Sequence, residues 1–223
     1  MRIFIPYFCI AAFGVMMLST QKHSAPEPMP AGSTIYDTAL KMLQEFVIEG
    51  QDTNLGFKNP QDVLGARIDT NQGVDIYYLR EDSLLQSGLP IDSQIVKLNR
   101  RAYPVYLGDS LRSTITFMHA KNGWLPVMFD DYKMMESIIN DLPKSTSLKS
   151  LKHSYALVEA PFVQTQLTLR RDASGTSVLP NRAIHRVMGN TVPIANISRP
   201  YAPIKADVFV QGLKAYSRKR IKR

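Results

Sequence analysis

Cysteine is nearly missing from this chain. Its 223 residues hold one, Cys9, inside an apolar stretch near the N-terminus. The rest of the chain therefore has no thiol for a disulfide, a zinc site or a cysteine nucleophile. Histidine is sparse as well. His23, His119, His153 and His185 lie far apart in sequence, so no two share the short spacing that builds a metal site on one helix or turn. Neither GxGxxG nor GxxxxGK occurs, which excludes a glycine-rich phosphate loop of either kind. No internal repeat and no low-complexity tract breaks the chain. From these absences no catalytic, cofactor-binding or metal-ligating residue is assigned, and no cofactor is expected.

What is present suits one sizeable domain. Hydrophobic residues make up 44% and charged residues 21%, so a core can form without disulfides or metals. The formal net charge is +8, and five of the last six residues are basic: Arg218, Lys219, Arg220, Lys222 and Arg223. Removing those five from +8 leaves +3, so the body is only mildly basic. The cluster suits an anionic surface such as lipid headgroups. Nucleic acid is the poorer partner, because an exported chain does not ordinarily meet a genome.

Export is the reading of the N-terminus. Arg2 precedes sixteen uncharged residues, Ile3 to Leu18, and a polar exit, Ser19 to His23. A positive start, an apolar stretch and a polar end mark a secretory signal. The stretch is short of the roughly 20 residues of a spanning helix. Pro26 follows Ala25, the nearest small residue, and hinders cleavage there, so an uncleaved anchor is the alternative. Residues 1–23 are thus a signal peptide or signal anchor. Residues 24–32, with three prolines, form an extended linker. Residues 33–216 form a single domain and 217–223 a basic tail. The protein is expected to be periplasmic, secreted or anchored to the membrane by residues 3–18.

Within the domain, Ser33 is an N-cap for a helix with Ile35, Ala39, Leu43, Phe46 and Val47 on one face, and Gly50 ends it. Val74 to Leu79 is a strand by its β-branched and aromatic content. Residues 80–99 fit neither period. Tyr103–Leu107 and Ser110–Met118 read as a hairpin through Gly108 and Asp109, since glycine supplies the positive φ of a type II′ turn. A second hairpin runs through Ala120–Gly123. Residues 130–143 read as a helix capped by Asp130 or Asp131 and stopped by Pro143. Two more strands flank Pro161, a turn at 170–175 leads to a short strand, and a last helix is expected from Ile204 to Tyr216. Strands following strands favour α+β, a mainly antiparallel sheet of hairpins with two or three packed helices.

Gly108-Asp109-Ser110-Leu111 resembles the motif that names the GDSL family of serine lipases and esterases. That resemblance implies a serine nucleophile near the mature N-terminus, at a strand-to-helix turn, with a base from an Asp-x-x-His motif. Here the motif is mid-chain and leads into β-type sequence, and Thr116, Ser150 and Arg182 precede the later histidines by three. The hairpin turn is the better account. Arg100-Arg101 and Arg170-Arg171 are expected at exposed strand ends, and the aromatic residues of the strands in the core.

The expected function is that of an exported or membrane-anchored, non-enzymatic binding or structural envelope protein. Two alternatives belong to other classes. One is a small serine hydrolase using Ser110. The other is a binder of anionic surfaces through its basic tail.

Overall fold

The computed structural model describes residues 34–48, 55–86, 88–141, 154–163, 165–179 and 203–221. The expected signal, linker and caps at Ser33 and Gly50 lie outside these residues, as do Pro143, Lys222 and Arg223. Five helices are described: α1 (Thr34–Phe46), α2 (Pro60–Leu64), α3 (Glu81–Gln86), α4 (Lys133–Asp141) and α5 (Ala206–Ile221). The strands are β1 (Ala66–Ile68), β2 (Val74–Leu79), β3 (Ile95–Leu107), β4 (Ser110–Ala120), β5 (Gly123–Asp131), β6 (Ser154–Ala160), β7 (Thr165–Asp172), β8 (Gly175–Leu179) and β9 (Ile204–Lys205).

The α+β class and the mainly antiparallel sheet are as the sequence led us to expect. The strands join one nine-stranded sheet in the order β5-β4-β3-β2-β6-β7-β8-β9, with β1 also paired to β3. Its one parallel pair is central, β2 against β6, in the register Ile76↔Leu157. Two antiparallel meanders, β2 to β5 and β6 to β9, thus meet at their first strands. That pairing is not legible locally, because parallel neighbours need a long crossover between them.

Side chains alternate between the faces of each strand, and the core divides accordingly. On the front face, α1 and α2 cover Tyr103, Val105, Ile115 and Phe117. On the same face, α3 and α5 cover Leu79, Val158, Leu167, Leu169 and Val178. On the back face α4 covers Val74, Ile76, Ala102, Tyr155, Leu157 and Leu179 with Met135 and Ile138. The end of α4 is clamped to the sheet: the Tyr155 hydroxyl donates to Asp141 at 2.8 Å, and Arg170 lies 3.3 Å from the same carboxylate.

Three local readings need correction. Asp130 and Asp131 do not cap α4. They belong to β5, where Ser113↔Asp131 and Thr114↔Asp130 pair, and α4 begins only at Lys133. The cross-strand ladder overrides their capping preference. The stretch before Tyr103 is also strand: β3 starts at Ile95, because β2 supplies the partner for Ile95–Lys97. Finally, Ile204 and Lys205 pair with β8 before α5 starts, and α5 then continues to Ile221, past the expected end at Tyr216.

Turn chemistry was well encoded. Gly108 has φ of +58° and Asp109 does not enter positive φ, the signature of a type II′ turn. At Lys121-Asn122 and at Ala173-Ser174 the positive φ falls instead on the next residue, Gly123 at +112° and Gly175 at +117°. Both are two-residue loops closed by a pair whose second member is that glycine, Ala120↔Gly123 and Asp172↔Gly175. Prolines sit where a missing amide costs little. The Asp69 amide donates to the Pro104 carbonyl at 3.0 Å, just beyond the last β1 pair, Ile68↔Val105. Pro126 lies on edge strand β5 beside a register shift.

Candidate functional site

Ser110 is the residue with the most specific sequence claim, and its surroundings are those of a turn. It is exposed, opens β4 and pairs with Leu107 across the hairpin. No helix follows it. His119, the histidine within the described residues, stands near the other end of the same strand. Nine residues of extended chain separate the two by roughly 30 Å. The His119 ring instead packs edge-on against Trp124, with centroids 5.1 Å apart. Among the described residues no group of three or more His, Cys, Asp or Glu is placed to hold a metal ion.

The arginine dipeptides are half-buried ion pairs, where the sequence suggested exposed strand ends. Alternation sends one member of each pair to each face. Arg100 points to the back and meets Glu159 at 2.7 Å; Arg101 points to the front and lies 3.4 Å from Asp75. Arg170 on the back meets Asp141 and Asp172, the latter at 3.0 Å, while Arg171 on the front meets Asp92 at 2.6 Å and covers the Tyr77 ring. Asp172 lies two residues from Arg170; the other partners are far away in sequence, so no local signal could reveal them. Each guanidinium already has a carboxylate, which argues against a free anion cradle at these positions.

On the front, Asp75 also binds Lys97 at 2.6 Å, and Tyr36 and Tyr103 stand near Arg101. Burial pushes the Tyr36 hydroxyl up to about 12, with the neighbouring Tyr103 adding to the shift and Arg101 opposing it. Tyr103 and Tyr106 are raised as well, chiefly by burial. A tyrosine whose folded pKa lies above its unfolded value near 10 favours the native state while protonated. Stability is therefore full below about pH 10 and falls as pH rises through the folded values. A urea titration across that range should show a falling midpoint, and Tyr36→Phe should flatten the fall. Among the described residues the Tyr36 Oη has no hydrogen-bond partner, although the residue is only 8% exposed. At neutral pH the same substitution should thus change stability by less than about 1 kcal/mol, because no bond is lost. A larger loss would show that the hydroxyl is satisfied in solution.

Among the described residues the back face carries an extended apolar surface. Eight strands in sequence across the sheet span roughly 34 Å between outermost strands at 4.8 Å per step. The front has two helices of 13 and 16 residues plus two short ones. Among the described residues the back has only α4, nine residues and about 13 Å long. Beyond it, a strip crosses four strands. Tyr78 pairs with Val96, Leu98 follows two residues on, and Met118 pairs with both Arg100 and Leu125. Tyr78, Val96, Met118 and Leu125 are all exposed, Val96 and Leu125 each at 49%. At one end Tyr78, Val96 and Leu98, with Arg80, Glu81 and Asp82, line an open recess of about 450 Å³. Sequence analysis placed the aromatic residues of the strands, Tyr78 among them, in the core and left Val96 and Leu98 in an unassigned stretch. Strand alternation was visible, but which face α4 leaves bare was not.

Three residues of the basic cluster, Arg218, Lys219 and Arg220, fall on α5. Arg218 is exposed on its last turns, and Lys219 and Arg220 continue the same helix. Cations near a helix C-terminus complement its dipole, so their placement has a structural reason without a ligand. None of the helices among the described residues is long and apolar enough to cross a membrane.

No family model, no curated protein and no solved structure matches this chain.

Proposed function

We propose that the protein is exported, or held at a membrane by residues 3–18, and acts there by binding, with no chemical turnover. The observation that carries this reading is the position of Ser110. A nucleophilic serine needs a base within hydrogen-bond reach, and in the GDSL-type arrangement it stands at a strand-to-helix turn. Ser110 has a two-residue hairpin turn before it, nine residues of strand before His119, and no helix behind it. The bare strip on the back face supports the binding half of the proposal. It is apolar, contiguous and rimmed by charge, as recognition surfaces are. The charge pattern of residues 2–23 supports export.

The test is a substrate screen on the full chain with esters, thioesters and peptides. No turnover above buffer is expected, and Ser110→Ala should leave stability within about 0.5 kcal/mol of the parent. Turnover that disappears in Ser110→Ala would overturn the proposal in favour of a serine hydrolase. Fractionation of cells expressing the chain with and without residues 3–18 tests the second half: deletion should keep the protein in the cytoplasm.

A further inference from the structure

We propose that Asn122 is a self-modifying site: its carboxamide cyclises onto the Gly123 main-chain nitrogen and reopens as a carboxylate, which changes the charge and the backbone of the hairpin tip between β4 and β5.

The reaction needs no enzyme and no cofactor. Hydroxide takes the proton of the Gly123 amide, and the nitrogen attacks Asn122 Cγ. One C–N bond forms, the Cγ–Nδ2 bond breaks, and ammonia leaves with a proton from water. The product is a five-membered succinimide. Water then adds to one of its two carbonyl carbons. Opening at Cγ gives aspartate. Opening at the main-chain carbon gives isoaspartate, in which the chain runs on through Cβ and Cγ.

Three observations place the reaction here. Asn122-Gly123 is the one Asn-Gly pair in the chain. Glycine puts no side chain beside the attacking nitrogen, and nothing lies within 4 Å of a Cβ built at Gly123. Asn122 is exposed at the tip. Ala120↔Gly123 is the last pair of the β4–β5 ladder, and the end of a ladder opens at the lowest free energy, which frees the nitrogen.

The other described asparagines each lack something. Asn59 precedes Pro60, whose nitrogen has no proton to lose, and its side chain accepts from the Asp62 amide at 3.0 Å. Asn71 precedes Gln72, which has a side chain and whose amide donates to the Asp69 carbonyl at 3.2 Å. Asn99 lies inside β3 and Asn140 inside α4. There the paired or helical main chain resists the rotation that ring closure needs.

The two products differ in what they do to the fold. The next pair along the ladder is His119↔Trp124. Trp124 is 9% exposed, and its ring meets the His119 ring edge-on at 5.1 Å. Isoaspartate adds a main-chain carbon just before Gly123, so the closing pair loses its register and Trp124 loosens. Aspartate keeps the backbone and adds one negative charge beside Lys121. Trp124 is the sole tryptophan of the chain, so its emission reports this end of the hairpin without a label.

The test ages the full chain in mild detergent, native and in urea, and maps its peptides by mass. In the native protein residue 122 should gain the mass difference between an amide and an acid ahead of every other asparagine. The rate should rise by up to about tenfold per pH unit between pH 7 and 9, as the ionised fraction of a weak acid does. Asn122→Gln, which would have to close a six-membered ring, should stay unconverted over the same period. Ion exchange separates the converted forms, which are one unit less positive than the parent. The isoaspartate fraction should show red-shifted emission, whereas Asn122→Asp should emit like the parent. Conversion in urea but not in the native protein overturns the proposal, because the folded turn then holds the Gly123 nitrogen away. Earlier conversion at another asparagine overturns it too, as does no conversion in either state. An isoaspartate fraction with parent emission overturns the link to Trp124.

Discussion

Phe117→Ala should lower the unfolding free energy by about 3–5 kcal/mol, the cost of removing a large aromatic side chain from a packed core. Phe117 is 0% exposed and sits at the centre of the front-face core. Its ring meets Tyr36 edge-on at 5.8 Å and Tyr103 at 5.7 Å, with interplanar angles of 76° and 83°. These three rings join α1 to β3 and β4. Truncation removes apolar burial and two edge-to-face contacts, and leaves a cavity that rigid strands collapse poorly around. A domain of this size is stable by only about 5–15 kcal/mol, so the variant should lie near the limit of folding. Urea denaturation gives the measurement: the midpoint falls while the slope stays constant. Phe129→Ala is the control. Phe129 is only partly buried and packs on the exposed Phe46 at 5.4 Å, so its loss should be clearly smaller. Equal losses for the two would mean that the aromatic cluster does not organise this half of the core.

Gly56→Ala should cost at least about 3 kcal/mol, from overpacking and backbone strain together. A Cβ at Gly56 would stand 1.7 Å from the Arg112 carbonyl oxygen and 2.6 Å from its carbon, and the backbone there has φ of +86°. Arg112 falls at the bulge of β4, between the pairs Tyr106↔Leu111 and Val105↔Ser113. The neighbouring atoms are main chain in a paired strand, so they have no rotamer by which to move away. Gly108→Ala makes the comparison direct. Gly108 also has positive φ, +58°, but nothing lies within 4 Å of a Cβ there. Only the strain of the left-handed region remains, about 1–2 kcal/mol. Thermal denaturation of the two variants side by side separates crowding from strain. A Gly56→Ala protein as stable as Gly108→Ala would place the 55–56 turn away from the β4 bulge.

These two glycines also mark how far the sequence could be read. Gly108 was legible because its role is local: two turn residues between two β-rich runs specify a hairpin wherever the hairpin ends up. The same held for α1, whose apolar spacing needs only its own helix, and for β2, whose six residues carry their own β-type composition. Gly56 looked like one more residue of a turn-rich stretch. Its constraint comes from Arg112, over fifty positions away, and local sequence holds no trace of it. Asp130 and Asp131 show the opposite failure. They were read as a helix cap, and pairing with β4 claimed them for the sheet instead.

For the candidate sites the division is the same. Reading Gly108 and Asp109 as a hairpin turn ahead of Ser110 followed from sequence, since a turn and β-type continuation are short-range properties. Finding the back-face strip did not. Tyr78, Val96, Leu98, Met118 and Leu125 look like any core-facing strand residues, because alternation says which residues share a face but not whether anything covers it. That depended on α4 being the sole described helix on its side, and on β2 and β6 meeting as parallel neighbours to set the sheet's width. The sequence alone determined α1, β2, the hairpin turns and the class, because those follow from contacts within a few residues. Only the tertiary structure decided strand order, the arginine–carboxylate pairs and the bare surface, because each depends on which distant segments come to lie side by side.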